Sequence, residues 1–407
     1  MTTKNYEFGR SASYWTSAAV VAHTLWTSAA PAMTYPLYAS EWHLTPLATT
    51  GIFAIYPIFV VIVLTCFGDI SDYIGRRKTM LLGLAASLFG VFLFAVAPDV
   101  LWVYIGRAFM GVGVGLSAGP SAAAVVEFSA PGQSQRAGAV TTVSQAVGLI
   151  SAALVGGFLI EYAPLPTRLN FVVLFVVLLA IFAATWFLPR HTRNEASGRW
   201  RPKAITIPAS LRKIFASATI AVTASYSLGT IILSLGAQIA HDVIGSQNAL
   251  VNGANIALFS LVAAAVAIPG KSLSPLTAIL AGGVSSLCAV AMLTLSAAEH
   301  SLVLFSLALM FGGTAYSLLF SGGLTLLNAN APAHHRGGTL SALFLVAYLG
   351  QGVAALALGK IATLWSLSLA VDAGSVLVGL LSACAMLLAL LYATPKSTPR
   401  PIIGERL

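Results

Sequence analysis

The sequence predicts an all-α integral membrane protein: twelve transmembrane helices arranged as two pseudo-symmetric six-helix bundles. Three observations predict it. The 407 residues are 58% hydrophobic and only 8% charged, where a soluble domain carries about 25% charged residues to meet water. The apolar runs are continuous and about 20 residues or longer, the length a helix needs to cross a bilayer, whereas barrel strands alternate in runs of about 10. The second half of the chain repeats the first at a constant offset. Lipid offers the backbone no hydrogen bonds, so helices must satisfy it internally.

In chain order the spans are predicted at 13–40, 47–67, 79–97, 100–127, 138–162, 169–188, 214–241, 249–268, 276–297, 301–328, 339–359 and 366–393. The connections are short except for 190–212, which is basic and polar. Residues 1–10 are polar and show no cleavable signal pattern. Cys66, Cys288 and Cys384 all fall inside apolar runs and read as small core hydrophobes rather than disulfides or ligands.

Charge orients the spans. Twelve crossings put both termini on one side, and the loops of that side hold 18 of the 21 Lys and Arg, including Arg76, Arg77, Lys78, Arg136 and the cluster from Arg190 to Lys213. Arg168 and Lys360 lie opposite, and Arg107 lies within a span. Basic loops stay cytoplasmic, so both termini are expected inside a plasma or inner membrane. The net charge of +9 is therefore a topology signal, with anionic lipid as a secondary partner and no nucleic acid.

Position i matches position i+200 repeatedly. Trp26 pairs with Tyr226, Ala108-Phe109-Met110 with Ala308-Leu309-Met310, Gly113 with Gly313, Ser117 with Ser317, and Arg136 and Gly138 with Arg336 and Gly338. The expected organisation is a bundle over 1–189, a cytoplasmic linker over 190–212 and a second bundle over 213–407. Parallel repeats of six spans are a transporter architecture, with the solute site between the halves near mid-membrane.

The strongest local motif follows span 2: Gly68-Asp69-Ile70-Ser71-Asp72-Tyr73-Ile74-Gly75-Arg76-Arg77-Lys78. It resembles the signature loop of the major facilitator superfamily, Gly-x-x-x-Asp-x-x-Gly-Arg-Arg, with Gly68, Asp72, Gly75, Arg76 and Arg77 all matching. The resemblance covers the whole chain. It implies a gate in which Asp72 reaches span 11 near Thr339 and Arg76 pairs with an acid at the end of span 4, where Glu127 stands. Such contacts would latch the outward-facing state; the alternative is a loop that only sets topology. The matching loop of the second half, Pro269-Gly270-Lys271-Ser272, lacks the motif.

Span 4 carries Arg107-Ala108-Phe109-Met110-Gly111-Val112-Gly113-Val114-Gly115, which resembles a second family motif, Arg-x-x-x-Gly-x-Gly. Gly111, Gly115 and Gly119 share one face, a doubled small-xxx-small pattern for close helix packing. Arg107 lies about two turns inside the span, where a charge costs ~2.5–3.5 kcal/mol. It either meets a partner, a substrate anion or a proton relay, or snorkels to the interface. Span 5 holds Gly148, Gly156 and Gly157. They resemble the Gly-Pro-x-x-Gly-Gly signature of proton-driven exporters, but Ala152-Ala153 replace its Gly-Pro. Ordinary packing of small residues explains them equally well.

In this family spans 1, 4, 7 and 10 line the cavity. The candidate substrate residues are His23, Trp26, Tyr226, Gln238 and Tyr316, joined by Gln145, Asn252, Asn255, Tyr348 and Gln351 from neighbouring spans. Histidine as a residue type titrates near neutrality, so His23 is the candidate for proton coupling, with Arg107 and with Asp372 of span 12. Each has a bland reading: a hydrogen-bonded structural histidine, core aromatics, an acid reaching the surface.

With no acid deep in span 1, a neutral or anionic organic substrate is favoured over a cation. The expected function is secondary active transport of a small organic solute by alternating access. Proton-coupled efflux is the first reading and proton-coupled uptake of a metabolite the alternative. A non-transporting receptor is the remote third. The sequence holds no Gly-x-x-x-x-Gly-Lys-Ser/Thr, His-Glu-x-x-His or Gly-x-Ser-x-Gly. No enzyme activity, cofactor or metal is expected, and His334 and His335 read as part of a basic loop. The architecture is expected to work as a monomer.

Overall fold

A computed structural model of the chain describes residues 7–130, 134–190, 207–331 and 336–392. Most of the expected linker (191–206) and the pair His334 and His335 lie outside the described residues. Among the described residues, twelve helical segments cross the molecule. The first bundle has α1 (Arg10–Ala29), α2 (Pro46–Phe67), α3 (Arg76–Val96), α4 (Val100–Phe128), α5 (Ser134–Tyr162) and α6 (Leu169–Trp186). The second has α7 (Arg212–Thr230), α8 (Ala249–Gly270), α9 (Pro275–Ala298), α10 (Leu302–Asn330), α11 (Arg336–Leu364) and α12 (Leu367–Tyr392).

Local chemistry starts the helices where the apolar runs begin. Thr45, Asp99, Asn248, Ser274 and Ser301 each accept a backbone N–H from the first turn of the helix that follows. That satisfies a donor with no intrahelical partner. Pro46 and Pro275 sit at first helical positions, where a missing N–H is harmless. Several helices outrun their apolar stretches. α4 has 29 residues, about 44 Å at 1.5 Å per residue, longer than the ~30 Å hydrocarbon core. Its polar end carries Glu127 beyond the membrane interior.

Among the described residues, eleven helices are long and apolar enough to cross a bilayer. The first crossing escapes that count because α1 buries Ser13, Thr16, Ser17, His23, Thr24 and Thr27. A 3₁₀ turn at Ala30–Thr34 then breaks it, and it resumes at Tyr35–Glu41. The symmetry-related α7 also loses regularity, passing through π turns at Ile231–Leu235 and Ile239–Val243 around Gly236–Gln238. Both are inner helices: 89% of the α7 window is buried against 28% for α6, which faces outward.

The packing repeats. In the first bundle α1 packs on α4 and α5, α2 on α4, and α3 on α4 and α6. Six helices later the same pairs recur as α7 on α10 and α11, α8 on α10, and α9 on α10 and α12. Small residues make the closest of these contacts. A Cβ on Gly113 would stand 2.6 Å from the Gly83 carbonyl, and one on Gly90 2.6 Å from that of Gly106. Gly111 and Gly115 press on Tyr56, Phe59 and Val63 of α2. Gly119, expected in the same row, meets nothing within 4 Å, so the row closes only at its first two members. Gly148 packs on Ala22 and Trp26, Gly156 on Met33, and Gly157 on Ala249 and Leu250 of α8. All three cysteines are free, and Cys66 is exposed rather than core.

Candidate functional site

The two bundles meet through α2 against α11 and α5 against α8. The specific contacts cluster on the face opposite the termini. The Leu47 N–H donates to Thr363 Oγ1 at 2.9 Å and the Ala249 N–H to Glu161 Oε2 at 2.8 Å. Gly359 nests against Thr50 and Pro46, and Gly253 against the Ala153 carbonyl. That face is closed.

On the terminus side, the signature loop folds as a short helical turn, Ser71–Ile74, ended by Gly75 at φ +88°, a conformation that favours glycine. The turn aims Arg76 at α4, where it pairs with Glu127 and donates to the Ala123 carbonyl at 3.1 Å. Arg77 donates to the Leu188 carbonyl at 3.1 Å and lies over the Trp186 ring at 5.6 Å, tying the loop to the end of α6. Asp72 differs from expectation. It is exposed, and the acid of the loop with a buried oxygen and an engaged carboxylate is Asp69.

Arg107 occupies the membrane interior and does not snorkel: its exposure is 0%. Nη1 donates to the carbonyls of Ser28 (2.8 Å) and Thr27 (3.4 Å). Those carbonyls are near the 3₁₀ break of the first crossing, where the helix ladder ends. The guanidinium lies over the Tyr56 ring at 4.5 Å and within 5.9 Å of Phe53. Nε and Nη2 have no partner. Tyr56 lies beside Arg107 on one side and near Tyr226, Tyr316 and Tyr348 of the second bundle on the other. Tyr226 stacks on Tyr316 (6.3 Å, 11°) and Phe320 (5.9 Å, 12°) and meets Tyr348 edge-on at 5.0 Å. Tyr348 packs on the cores of both bundles.

The structure thus gathers Arg107, Tyr226, Tyr316 and Tyr348 of the expected residues. Gln238 and Gln351 are buried, each with a side-chain oxygen lacking a partner. Trp26 is half-buried against the first-bundle core with its indole N–H unpartnered.

Other candidates lie apart from this group. His23 is buried inside the first bundle. Its Nδ1–H donates to the Val20 carbonyl at 2.5 Å, and Nε2 stands 3.4 Å from Ser87 Oγ on α3. Asn255 is held by Ser306 and the Val251 carbonyl, and Asn252 donates to the Ser246 carbonyl, so both brace the second bundle. Gln145 is exposed. Asp372 is exposed on outer helix α12, in an open groove of about 680 Å³ against Met292 and Leu295 of α9. It is away from the bundle interface because α12 is peripheral.

Sequence reasoning missed Tyr56, Phe53 and Asp69. The first two sit in an apolar run where an aromatic reads as core; their spacing of three, one helical face aligned with Arg107's helix, was the available signal.

Two repeated six-helix bundles enclosing buried, unpartnered polar groups at their interface define a membrane transporter. Comparison with known proteins agrees: the family model described as Major Facilitator Superfamily matches residues 15–355. The chain belongs to the Major Facilitator Superfamily, a family of transporters rather than enzymes.

Among curated relatives, the chain is 28% identical over 146 residues to the tetracycline resistance protein, class B, of Escherichia coli, covering 35% of this chain and 34% of that one. It is 26% identical over 136 residues to the sugar transporter ERD6-like 6 of Arabidopsis thaliana, covering 33% of this chain and 26% of that one. The matches thus span about a third or less of each relative. In solved structures the fold resembles a bacterial homolog of the human lysosomal transporter Spinster, inward-facing and unoccupied (TM-score 0.76, 16% identity, 96% of this chain and 98% of that one). It also resembles a mutant of the nucleoside transporter NupG (TM-score 0.73, 10% identity, 92% and 98%).

Proposed function

We propose that the protein is a secondary active transporter that moves a small organic solute out of the cell by alternating access, driven by protons. It works as a monomer in the plasma or inner membrane with both termini cytoplasmic. The observation that carries this reading is Arg107: a fully buried cation about two turns into an inner helix, lying over Tyr56, which in turn neighbours the tyrosines of the other bundle. A structural role alone does not account for a charge held in the membrane interior with part of its hydrogen-bonding capacity unused.

The bundles touch on the face opposite the termini, so the solute would enter between them from the terminus side as they part there. The Arg76–Glu127 pair, with Asp69 and Asp72, then forms the gate that must rearrange as the bundles rock. Proton coupling is assigned to His23, which stands beside Ser87, and to Arg107, which donates to the carbonyl of Thr27, one turn beyond His23 on the same helix.

Export is favoured by the likeness to the tetracycline resistance protein. The likeness to a sugar transporter and the absence of Gly-Pro at Ala152-Ala153 favour the second reading, proton-coupled uptake. Reconstituted protein under an imposed pH gradient decides. Solute movement opposite to the proton flux is expected, and movement with it establishes uptake. Ligand binding without flux across a broad solute panel would leave only the receptor reading.

A further inference from the structure

We propose that the solute is a planar aromatic carboxylate, its carboxylate held on one edge of Arg107 and its ring set among the tyrosines; this rests on the transport reading above. The guanidinium is oriented before any ligand arrives. Its Nη1 is tied to the Thr27 and Ser28 carbonyls and its central carbon lies over the Tyr56 ring. The two nitrogens without partners, Nε and Nη2, form a single side of the planar fork. That side is the one that receives both oxygens of a carboxylate in parallel hydrogen bonds.

Among the described residues no carboxylate pairs with Arg107. The ion pairs Arg76–Glu127 and His241–Asp242 both lie far along the chain from this site. A buried cation without a counter-ion is strongly unfavourable, and an anionic ligand removes that penalty when it binds. Tyr35 adds a second donor: its hydroxyl is buried, has no partner and lies near Arg107.

The rest of the site selects a ring. Tyr226, Tyr316 and Phe320 lie nearly parallel, with interplanar angles of 11° and 12°, and Tyr348 closes them edge-on. Tyr316, Phe320 and Tyr348 remain partly exposed although they point at one another across inner helices. Such faces take an aromatic guest by offset stacking or edge contact. The Arg107 edge itself is out of solvent contact here, so the ligand meets it as the bundles part on the terminus side.

The test uses the purified full chain in nanodiscs, with binding read by calorimetry. Benzoate, phenylacetate, 1-naphthoate and indole-3-acetate are the acids; 1-naphthamide and 1-naphthylmethylammonium carry the same ring without the carboxylate; cyclohexanecarboxylate carries the acid without the ring. At least one aromatic acid is expected to bind, about tenfold or more tighter than its amide or amine, since two charge-assisted hydrogen bonds are lost. Cyclohexanecarboxylate is expected to bind more weakly than benzoate.

Binding of none of the acids overturns the proposal, as does an amide or amine that binds as well as its acid. Arg107→Lys keeps the charge and loses the fork, so it is expected to weaken the best acid about tenfold while Arg107→Gln abolishes binding. The wild-type comparison stands even if these variants fold poorly. Counterflow of the best acid in proteoliposomes separates the two readings. Binding without flux sinks transport and keeps the ligand class; flux of another solute without acid binding does the reverse.

Discussion

The Arg107 guanidinium lies over the Tyr56 ring, its central carbon 4.5 Å from the ring centroid. A cation over a desolvated aromatic face gains about 2 kcal/mol. Tyr56→Phe keeps that face and is expected to retain most transport and thermal stability. Tyr56→Leu removes it, and a loss of about 2 kcal/mol with strongly reduced transport is expected. Thermal unfolding in detergent beside a transport assay checks this. Equal behaviour of the two variants would show that the ring contributes bulk alone.

The Arg76–Glu127 pair joins the signature loop to the end of α4, with side chains 22% and 17% exposed. A pair open to solvent to this extent is screened, so its coupling in a double-mutant cycle is expected at about 1 kcal/mol or less. Its larger effect is on cycling. Glu127→Gln is expected to slow transport while insertion and unfolding temperature stay near wild type. Arg76→Glu combined with Glu127→Arg is expected to recover part of the rate, and an unrecovered rate would argue against pairing as the reason both are needed. Asp72→Asn is expected to leave stability unchanged, because Asp72 is exposed in this conformation.

His23 sits between the Val20 carbonyl and Ser87, one turn from Thr27 on the same helix. If it moves the coupling proton, His23→Gln preserves a hydrogen-bonding side chain but cannot titrate. Solute counterflow, which needs no proton gradient, is expected to persist, while pH-driven accumulation is expected to disappear. Loss of both together, with a fall in unfolding temperature, would mark His23 as a structural residue only.

The α3–α4 interface makes a stability prediction. Gly113 stands 2.6–2.7 Å from backbone atoms of Gly83 and Ser87, measured from where its Cβ would be. No side-chain rotation relieves a clash with backbone. Gly113→Val is therefore expected to destabilise by about 1–3 kcal/mol or more. Gly119→Ala, on the same helix with nothing within 4 Å, is expected to change unfolding by less than about 0.5 kcal/mol.

The fold was legible because lipid imposes it. A run of about 20 apolar residues has one solution in a bilayer, and the signature loop and its glycine turn are local. The site was less legible because it depends on which face of each helix turns inward. Arg107 and Glu127 stood out as charges at improbable or motif-marked positions. Tyr56 did not, since an aromatic on a core face and one on a cavity face look alike in a uniformly apolar helix. Asn252 and Asn255 resembled cavity residues, yet each is held within the second bundle by local partners. Asp372 lies apart from the interface for a global reason: α12 is an outer helix, and no pattern within its own sequence states that.

The closed face tests alternating access directly. The Leu47 amide lies 2.9 Å from Thr363 Oγ1, which brings the backbones of α2 and α11 within reach of a disulfide. With Cys66, Cys288 and Cys384 replaced by Ser, the pair Leu47→Cys and Thr363→Cys is expected to oxidise readily. The bridge would hold the bundles together opposite the termini and stop the rocking that exposes the site on that side. Transport is expected to fall to background under oxidant and to return with reductant. Aromatic acid added from the terminus side should still bind to the locked protein, because the bridge leaves that entrance free. A bridged protein that transports at the unbridged rate would mean that this face does not open during the cycle.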